Sequence, residues 1–178
     1  MRLSRLLPWL LLGGLVVFSV AVYGSLPDQL PRNIDLSGEI GRTETKTPLS
    51  WAALPLVALS LLVLFEAIRR RLPHRPELFN FPGKDDFLKL PAEYRPPIIA
   101  KMQGFLDITA SLTTAIMAAV QLMLWHVARG GKSDFVTIGI LLVSVMTTPA
   151  LFLVLQGVTN EVDAAKKRWE GRRQPAAR

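Results

Sequence analysis

LSWAALPLVALSLLVLFEAI (residues 49–68) is the apolar run that decides the fold class. Its length is what a helix needs to cross about 30 Å of hydrocarbon. Three further runs have the same character, at residues 6–24, about 104–127 and about 135–158. Because backbone groups inside lipid must be hydrogen-bonded within their own segment, each run is predicted to be a helix rather than a strand. The sequence therefore predicts an all-α integral membrane protein with four transmembrane helices.

The overall composition fits this class and excludes several others. Half of the 178 residues are apolar, and they are grouped in long runs, which is typical of neither a disordered chain nor an ordinary soluble domain. The chain contains no cysteine, which excludes disulfides, thiol chemistry and cysteine-based metal sites. The formal net charge of +7 is compatible with nucleic-acid binding, but in a membrane protein it must first be compared with the topology.

The basic residues are distributed unevenly between the segments that connect the runs. Sixteen of the 21 lysines and arginines lie before the first run, between the second and third runs, or after the fourth run. The positive-inside rule therefore predicts that both termini and the loop 69–103 are cytoplasmic, whereas the loop 25–48 faces outward. The prolines and Gly38 of this outer loop predict that it is structured rather than a plain connector. We interpret the charge excess as a topology signal, so we expect no nucleic-acid partner and expect contact with anionic headgroups of the inner leaflet.

A single four-helix membrane domain over residues 1–178 accounts for the whole chain, with a cytoplasmic tail at 159–178. The tail is expected to continue the fourth helix briefly, until Gly171 and Pro175 stop it. The first run has an alternative interpretation as a cleaved signal peptide, because basic residues precede it and residues 19–21 resemble a cleavage site. Its long apolar core and the bulky Val22 and Tyr23 favour a retained helix.

The cytoplasmic segments carry cations at the positions where they meet the bilayer. The residues predicted to contact lipid headgroups are Arg69, Arg70, Arg71, Lys166, Lys167 and Arg168. Prolines in the loop 69–103 forbid one continuous helix, and its aromatic residues favour an interfacial loop that packs the ends of the second and third helices. A surface for docking a partner is the alternative interpretation of this loop.

Polar residues inside the predicted helices are the candidates for chemistry, and they are Glu66, Gln103, Asp107, Ser111, Thr114 and Gln121. Those on the third helix recur at helical spacing, and such stripes commonly hold membrane helices together. Asp107 is interpreted either as a carboxylate paired with interfacial cations or as part of a proton or ligand site. Glu66 is spaced three and four residues from Arg69 and Arg70, which predicts an ion pair, and it lies near the predicted depth of Asp107.

Motifs of enzymatic catalysis are absent from the sequence. No nucleophile elbow, phosphate-binding loop or dinucleotide fingerprint occurs. The two histidines, His74 and His126, fall on opposite sides of the predicted membrane and so cannot share a metal. We therefore expect no catalytic residues, no cofactor and no metal.

The polar segment LPRNIDLSGEIGRTETK (residues 30–46), together with the apolar runs on either side, resembles the bacterial membrane domain-of-unknown-function 1648 family. That domain forms the N-terminus of immunity and signalling proteins that protect bacteria from a sporulation-delaying toxin, and the resemblance covers about residues 6–68. The positions that match the family pattern are Pro31, Asp35, Gly38, Glu39 and Lys46. Asn33 stands where the family usually has histidine, so the resemblance implies a loop architecture and not an inherited ligand site.

The resemblance implies a function at the outer face of the membrane. It implies a non-enzymatic, multi-pass protein of the bacterial inner membrane that binds or senses at the periplasmic face, with a role in toxin protection. The residues alone leave two other interpretations open. One is an accessory or assembly subunit of a larger complex with membrane-protein partners, and the other is a small transporter component that uses Asp107.

Overall fold

The computed structural model describes residues 3–34, 40–131 and 134–173, and it contains four long helices. These are α1 (Leu3–Tyr23), α2 (Pro48–Arg71), α4 (Arg95–Ala128) and α5 (Asp134–Arg173). Two strands, β1 (Gln29–Ile34) and β2 (Ile40–Thr45), connect α1 to α2, and the short helix α3 (Lys84–Lys89) lies between α2 and α4. All four long helices are long and apolar enough to cross a membrane. The end of the bundle that carries Arg69–Arg71 is called the basic end below, and the opposite end is the hairpin end.

Helices α1, α2 and α4 pack against one another as a three-helix unit. Their shared core is small and contains Leu12, Leu15, Ala58, Leu62 and Ala110. Alanines at the contact allow close approach of the backbones, which drives helix association in lipid, where apolar surface gains nothing from burial against protein. Many other apolar side chains of these helices are exposed and so are available to hydrocarbon.

Helix α5 is attached to this unit mainly through its second half. No described side chain in residues 139–157 is buried, whereas Val158, Val162 and Ala165 are almost completely buried. The 40 residues of α5 span about 60 Å, roughly twice the hydrocarbon thickness, so the helix must continue well outside the bilayer. The membrane-spanning half of α5 therefore lies at the periphery of the bundle.

A compact apolar cluster forms where α5 leaves the apolar region at the basic end. Phe87 of α3 is fully buried there and meets Phe81 edge to face, with ring centroids 5.4 Å apart. The cluster also contains Leu72, Leu90, Ile98, Met102, Val158, Val162 and Ala165. An ion pair of 3.1 Å between Lys166 and Asp86 joins α5 to α3. The segment between α2 and α4 is therefore packed against the helices rather than extended.

The observed helices α4 and α5 exceed the predicted segments. Helix α4 begins at Arg95 instead of about residue 104, because Pro96 and Pro97 occupy the first turn, where proline removes no helical hydrogen bond. Helix α5 continues to Arg173, past the predicted membrane-spanning run that ends near residue 158, as expected for the first part of the tail, and it buries apolar side chains there against α3. Residues 174–178 of the predicted tail lie outside the described residues.

The loop between α1 and α2 is a β-hairpin, which the all-α prediction lacked. Strands β1 and β2 are antiparallel, with irregular register between Pro31 and Ile34. At its base the Lys46 amide donates to the Asp28 carbonyl at 2.8 Å. Thr47 then caps α2. The Ser50 amide donates to Thr47 Oγ1 at 3.0 Å, and the Thr47 amide donates to Ser50 Oγ at 3.1 Å, which forms a capping box.

Candidate functional site

Asp107 lies buried at the junction of α1, α2 and α4 near the basic end. Its Oδ1 is 2.8 Å from Nε of Arg69, and its Oδ2 accepts a long hydrogen bond of 3.4 Å from Ser4 Oγ. The buried Nε of Arg69 makes no directed hydrogen bond, so the contact is an ion pair by proximity. Gln103 Nε2 donates to the backbone carbonyl of Arg69 at 3.2 Å. Of the two interpretations of Asp107, this geometry matches the carboxylate paired with a cation.

Glu66 forms the second part of the same cluster and joins α1 to α2. Its Oε1 is 2.7 Å from Nε of Arg70 and 2.8 Å from Nη2 of Arg5. The spacing of four residues predicted the pair with Arg70. The contact with Arg5 crosses between helices and was not predicted. The depth shared by Glu66 and Asp107, expected from the sequence, is present, because both line one small cavity.

This ion-pair cluster has little open space, since the cavity among its side chains holds only about 10 Å³. Such a volume is about the minimum for one water molecule. Three arginines, Arg5, Arg69 and Arg70, surround two carboxylates. The arrangement can hold three helices in register, and it offers no room for a substrate.

The remaining polar residues of α4 divide into two groups. Ser111 and Thr114 donate to the carbonyls of Asp107 and Ala110 at 2.8 and 2.9 Å, so each satisfies its hydroxyl within its own helix. Gln121 is buried near the hairpin end and donates to the Trp51 carbonyl at 3.2 Å. Only Gln121 of these three therefore links α4 to α2 by a side-chain hydrogen bond.

The six residues predicted to contact headgroups differ in their surroundings. Arg69 and Arg70 belong to the ion-pair cluster described above. Lys166 pairs with Asp86 at 3.1 Å, and Arg168 Nη2 lies 2.8 Å from Glu161 Oε1. Arg71 and Lys167 are exposed, and neither forms an ion pair with a carboxylate in the described part of the chain.

At the hairpin end, Trp51 connects the start of α2 to α1. Its ring is 6% exposed, and its Nε1 donates to the Ser19 carbonyl at 2.9 Å. Leu26 and Leu30 complete this buried cluster beneath the hairpin. Sequence reasoning missed this role, although a buried indole N–H needs an acceptor and so marks a helix contact.

The residues of the family-like segment lie in and around the hairpin. Lys46 Nζ donates to the Leu26 carbonyl at 2.8 Å and lies 5.4 Å from the centre of the Tyr23 ring, so it anchors the hairpin to the end of α1. Pro31 is buried, and the backbone of Asn33 pairs with Arg42. Asp35, Gly38 and Glu39 lie outside the described residues.

A groove of about 380 Å³ opens between the hairpin, α2 and α4. The hairpin contributes Leu30, Pro31 and Glu44 to its lining, α2 contributes Leu54, and α4 contributes Leu124. The groove is thus largely apolar with a carboxylate in its lining. It is far larger than the cavity around Asp107, which makes it the better candidate for binding a ligand.

The two histidines lie at opposite ends of the bundle, as the sequence indicated. His74 follows α2 at the basic end, whereas His126 lies in the last turn of α4 at the hairpin end. Gly131 passes so close to the His126 ring that an added Cβ would lie 2.3 Å from Nε2. Within the described ranges, no three histidine, aspartate or glutamate side chains are grouped for binding a metal ion.

Four candidate membrane-spanning helices, a hairpin at one end and a buried ion-pair cluster near the other define the class: a multi-pass membrane protein. Searches against protein-family models, curated proteins and solved structures found no match to this chain. The resemblance of residues 6–68 to the family of unknown function therefore stays a prediction.

Proposed function

We propose that this chain is a non-enzymatic protein of the bacterial inner membrane that binds a ligand in the groove at the hairpin end. The observation that carries the proposal is the groove itself, with about 380 Å³ between a docked hairpin and two helices. In this proposal both termini are cytoplasmic and the hairpin faces the periplasm, as the distribution of basic residues predicts.

The lining of the groove indicates the chemistry of the ligand. Leu54, Val120 and Leu124 belong to the apolar stretches of α2 and α4. In the proposed orientation, this part of the groove would lie at the depth of the outer leaflet. Glu44 and Ser50 add polar atoms on the side of the hairpin. A ligand that fits both parts has an apolar segment and a polar end, such as an amphipathic peptide. The implied role in sensing or toxin protection requires binding of this kind.

Site-specific photocrosslinking tests the groove as a binding site. A photoreactive phenylalanine derivative at Leu54 faces the groove, whereas the same residue at Leu56 lies on the exposed side of α2. We expect a discrete adduct in living cells from position 54 and none from position 56. The same adducts from both positions, or none from either, would contradict the proposal.

The membrane-spanning half of α5 supports a second candidate function, that of an accessory subunit in a larger membrane complex. No described side chain in residues 139–157 is buried, and the polar Thr148 and Gln156 are among the exposed ones. A partner helix on this face would satisfy such groups. Native mass spectrometry of protein purified in mild detergent distinguishes the candidates, because a stoichiometric co-purifying membrane protein is expected only for a subunit.

Transport through Asp107 has less support than either candidate. Asp107 is paired with Arg69, and the cavity beside it holds about 10 Å³. An Asp107→Asn variant that abolished a proton-coupled or substrate-coupled flux would restore the transporter interpretation.

A further inference from the structure

A further cavity, of about 110 Å³, lies at the basic end and belongs neither to the groove nor to the ion-pair cluster. It is lined by the end of α2, the start of α4, the middle of α5 and the segment that follows α2. Its apolar lining includes Ile68, Leu72, Phe79, Phe105 and Leu155, and the one polar residue among the described lining residues is Asn80. We call this cavity the apolar slot.

The size and lining of the apolar slot select an apolar occupant. A buried water needs two to four polar partners, whereas an apolar cavity of about 150 Å³ stays dry and binds benzene. Among the described residues of the lining, only the Asn80 side chain offers strong hydrogen-bonding groups, and it is itself exposed. The slot therefore suits a stretch of hydrocarbon rather than water or a polar metabolite.

The depth of the apolar slot places it beside the acyl chains of one leaflet. Ile68 is the last residue of the apolar run of α2, directly before Arg69–Arg71, and Leu155 lies in the last turn of the apolar run of α5. Arginines at the end of such a run mark the headgroup level. The neighbouring stretch 139–157 of α5 has no buried side chain among those described, so hydrocarbon has access to that side. A lipid chain is the apolar molecule present at this position.

A cation suited to a phosphate group lies next to the apolar slot. Arg71 follows Ile68 by one helical turn and directly precedes Leu72, and both neighbours line the slot. Arg71 is exposed and has no ion pair with a carboxylate among the described residues, whereas Arg69 and Arg70 are engaged with Asp107 and Glu66. Charge and apolar volume are thus adjacent in the arrangement that a phospholipid requires.

We propose that the apolar slot binds one acyl chain of an anionic phospholipid whose phosphate pairs with Arg71. The site is distinct from the proposed function, because it lies at the opposite end of the bundle. The bound lipid fills the gap between α2 and α5, which holds α5 in place at the level where its membrane-spanning half ends.

Native mass spectrometry of the purified chain, titrated with phosphatidylglycerol or phosphatidylcholine, measures the binding. We expect one tightly bound phosphatidylglycerol and an affinity about fivefold above that for phosphatidylcholine, the equivalent of about 1 kcal/mol for a cation near an anionic headgroup. Arg71→Gln is expected to remove this preference. Lys167→Gln is the matched control and is expected to keep the preference, because Lys167 is an exposed cation elsewhere at the same end that forms no ion pair with any described carboxylate.

The apolar half of the site is tested by filling the slot. Leu155→Trp is expected to weaken binding of phosphatidylglycerol about tenfold, which corresponds to about 1.4 kcal/mol, the burial free energy of about two methylene groups. Leu153→Trp adds the same bulk to an exposed position of α5 and is expected to leave the affinity unchanged. Equal binding of the two lipids, or equal effects of the two tryptophans, overturns the proposal.

Photolabelling of the wild-type protein tests the site without relying on variants that could fold poorly. Phosphatidylglycerol that carries a photoreactive group near the carboxyl end of its acyl chain is incorporated with the wild-type protein into phosphatidylcholine nanodiscs. The expected labels fall on peptides that contain Phe105 or Leu155. Labels confined to other exposed faces, such as that of Leu10 in α1, overturn the proposal.

Discussion

Nε of Arg69 in α2 lies 2.8 Å from Oδ1 of Asp107 in α4, and the two side chains are only 17% and 6% exposed. A pair of opposite charges at such burial is held together strongly, yet each partner carries a large desolvation cost. The contact therefore contributes most clearly to the specific arrangement of α2 against α4, because any arrangement that separates the two charges leaves one of them unpaired inside the bundle.

Arg69→Ala is expected to destabilise the folded chain by about 3–5 kcal/mol, because it leaves the Asp107 carboxylate buried without its cation. Unfolding in mixed detergent micelles, followed by circular dichroism, measures the change. Lys167→Gln, an exposed substitution at the same end, is expected to change stability by less than about 0.5 kcal/mol. The double variant with Arg69→Met and Asp107→Leu is expected to recover most of the loss, since no charge then remains unpaired. A double variant as unstable as Arg69→Ala would show that the pair is not the cause.

Arg5→Gln is expected to have a smaller effect, of about 1 kcal/mol or less. The side chain of Arg5 is 32% exposed, and Glu66 keeps its second partner, Arg70, when Arg5 is lost. The same unfolding assay compares Arg5→Gln with Arg69→Ala. A loss as large as that of Arg69→Ala would mean that α1 depends on this contact more than its geometry indicates.

Trp51→Phe is expected to loosen the hairpin end and to cost about 1–2 kcal/mol, because it removes the indole donor to the Ser19 carbonyl within a buried cluster. Hydrogen exchange of the β1 and β2 amides is expected to accelerate. Trp9→Phe is the control, since Trp9 is 40% exposed on α1, and it is expected to leave exchange in the hairpin unchanged. Equal exchange in both variants would refute the anchoring role of Trp51.

Gly83→Ala is expected to cost about 1–2 kcal/mol, because Gly83 has φ of 79°, a backbone conformation that is unfavourable for a residue with a Cβ. The new methyl group would also meet Val162 Cγ1 of α5 at 3.5 Å, an ordinary contact distance, so the strain is in the backbone. Gly104→Ala is the matched control, since a Cβ on this helical glycine meets nothing within 4 Å. No loss in Gly83→Ala relative to Gly104→Ala would contradict the structure around α3.

The long helices were predictable because an apolar run of about 20 residues has few alternatives in a bilayer. Their ends were not predictable in the same way. Two consecutive prolines, Pro96 and Pro97, usually indicate a loop, yet both are compatible with the first turn of a helix. Whether they form a loop or begin a helix depends on where the helix starts. The continuation of α5 into the tail was predictable from the sequence, whereas its contacts with α3 join residues distant in sequence, which no local pattern contains.

The polar contacts also differ in whether the sequence could predict them. The pair of Glu66 with Arg70 follows from helical spacing alone. Arg5 pairs with Glu66, and Arg69 pairs with Asp107, only because three helices converge at one depth. Charge and predicted depth indicated which residues could form ion pairs, but they did not indicate which arginine pairs with which carboxylate. The hairpin was missed because the pairing of β1 with β2 depends on the route of the chain between two membrane helices, although Thr43 and Thr45 are β-branched residues typical of strands.

A periplasmic binding groove requires that the hairpin end face out of the cytoplasm, and labelling of single cysteines tests this directly. The chain has no native cysteine, so Thr45→Cys in β2 and Lys89→Cys at the end of α3 each provide one exposed reactive site. A membrane-impermeant maleimide applied to intact spheroplasts is expected to label Thr45→Cys and to reach Lys89→Cys only after lysis. Labelling of Lys89→Cys in intact spheroplasts, or protection of Thr45→Cys, would contradict the proposed orientation and with it a periplasmic binding groove.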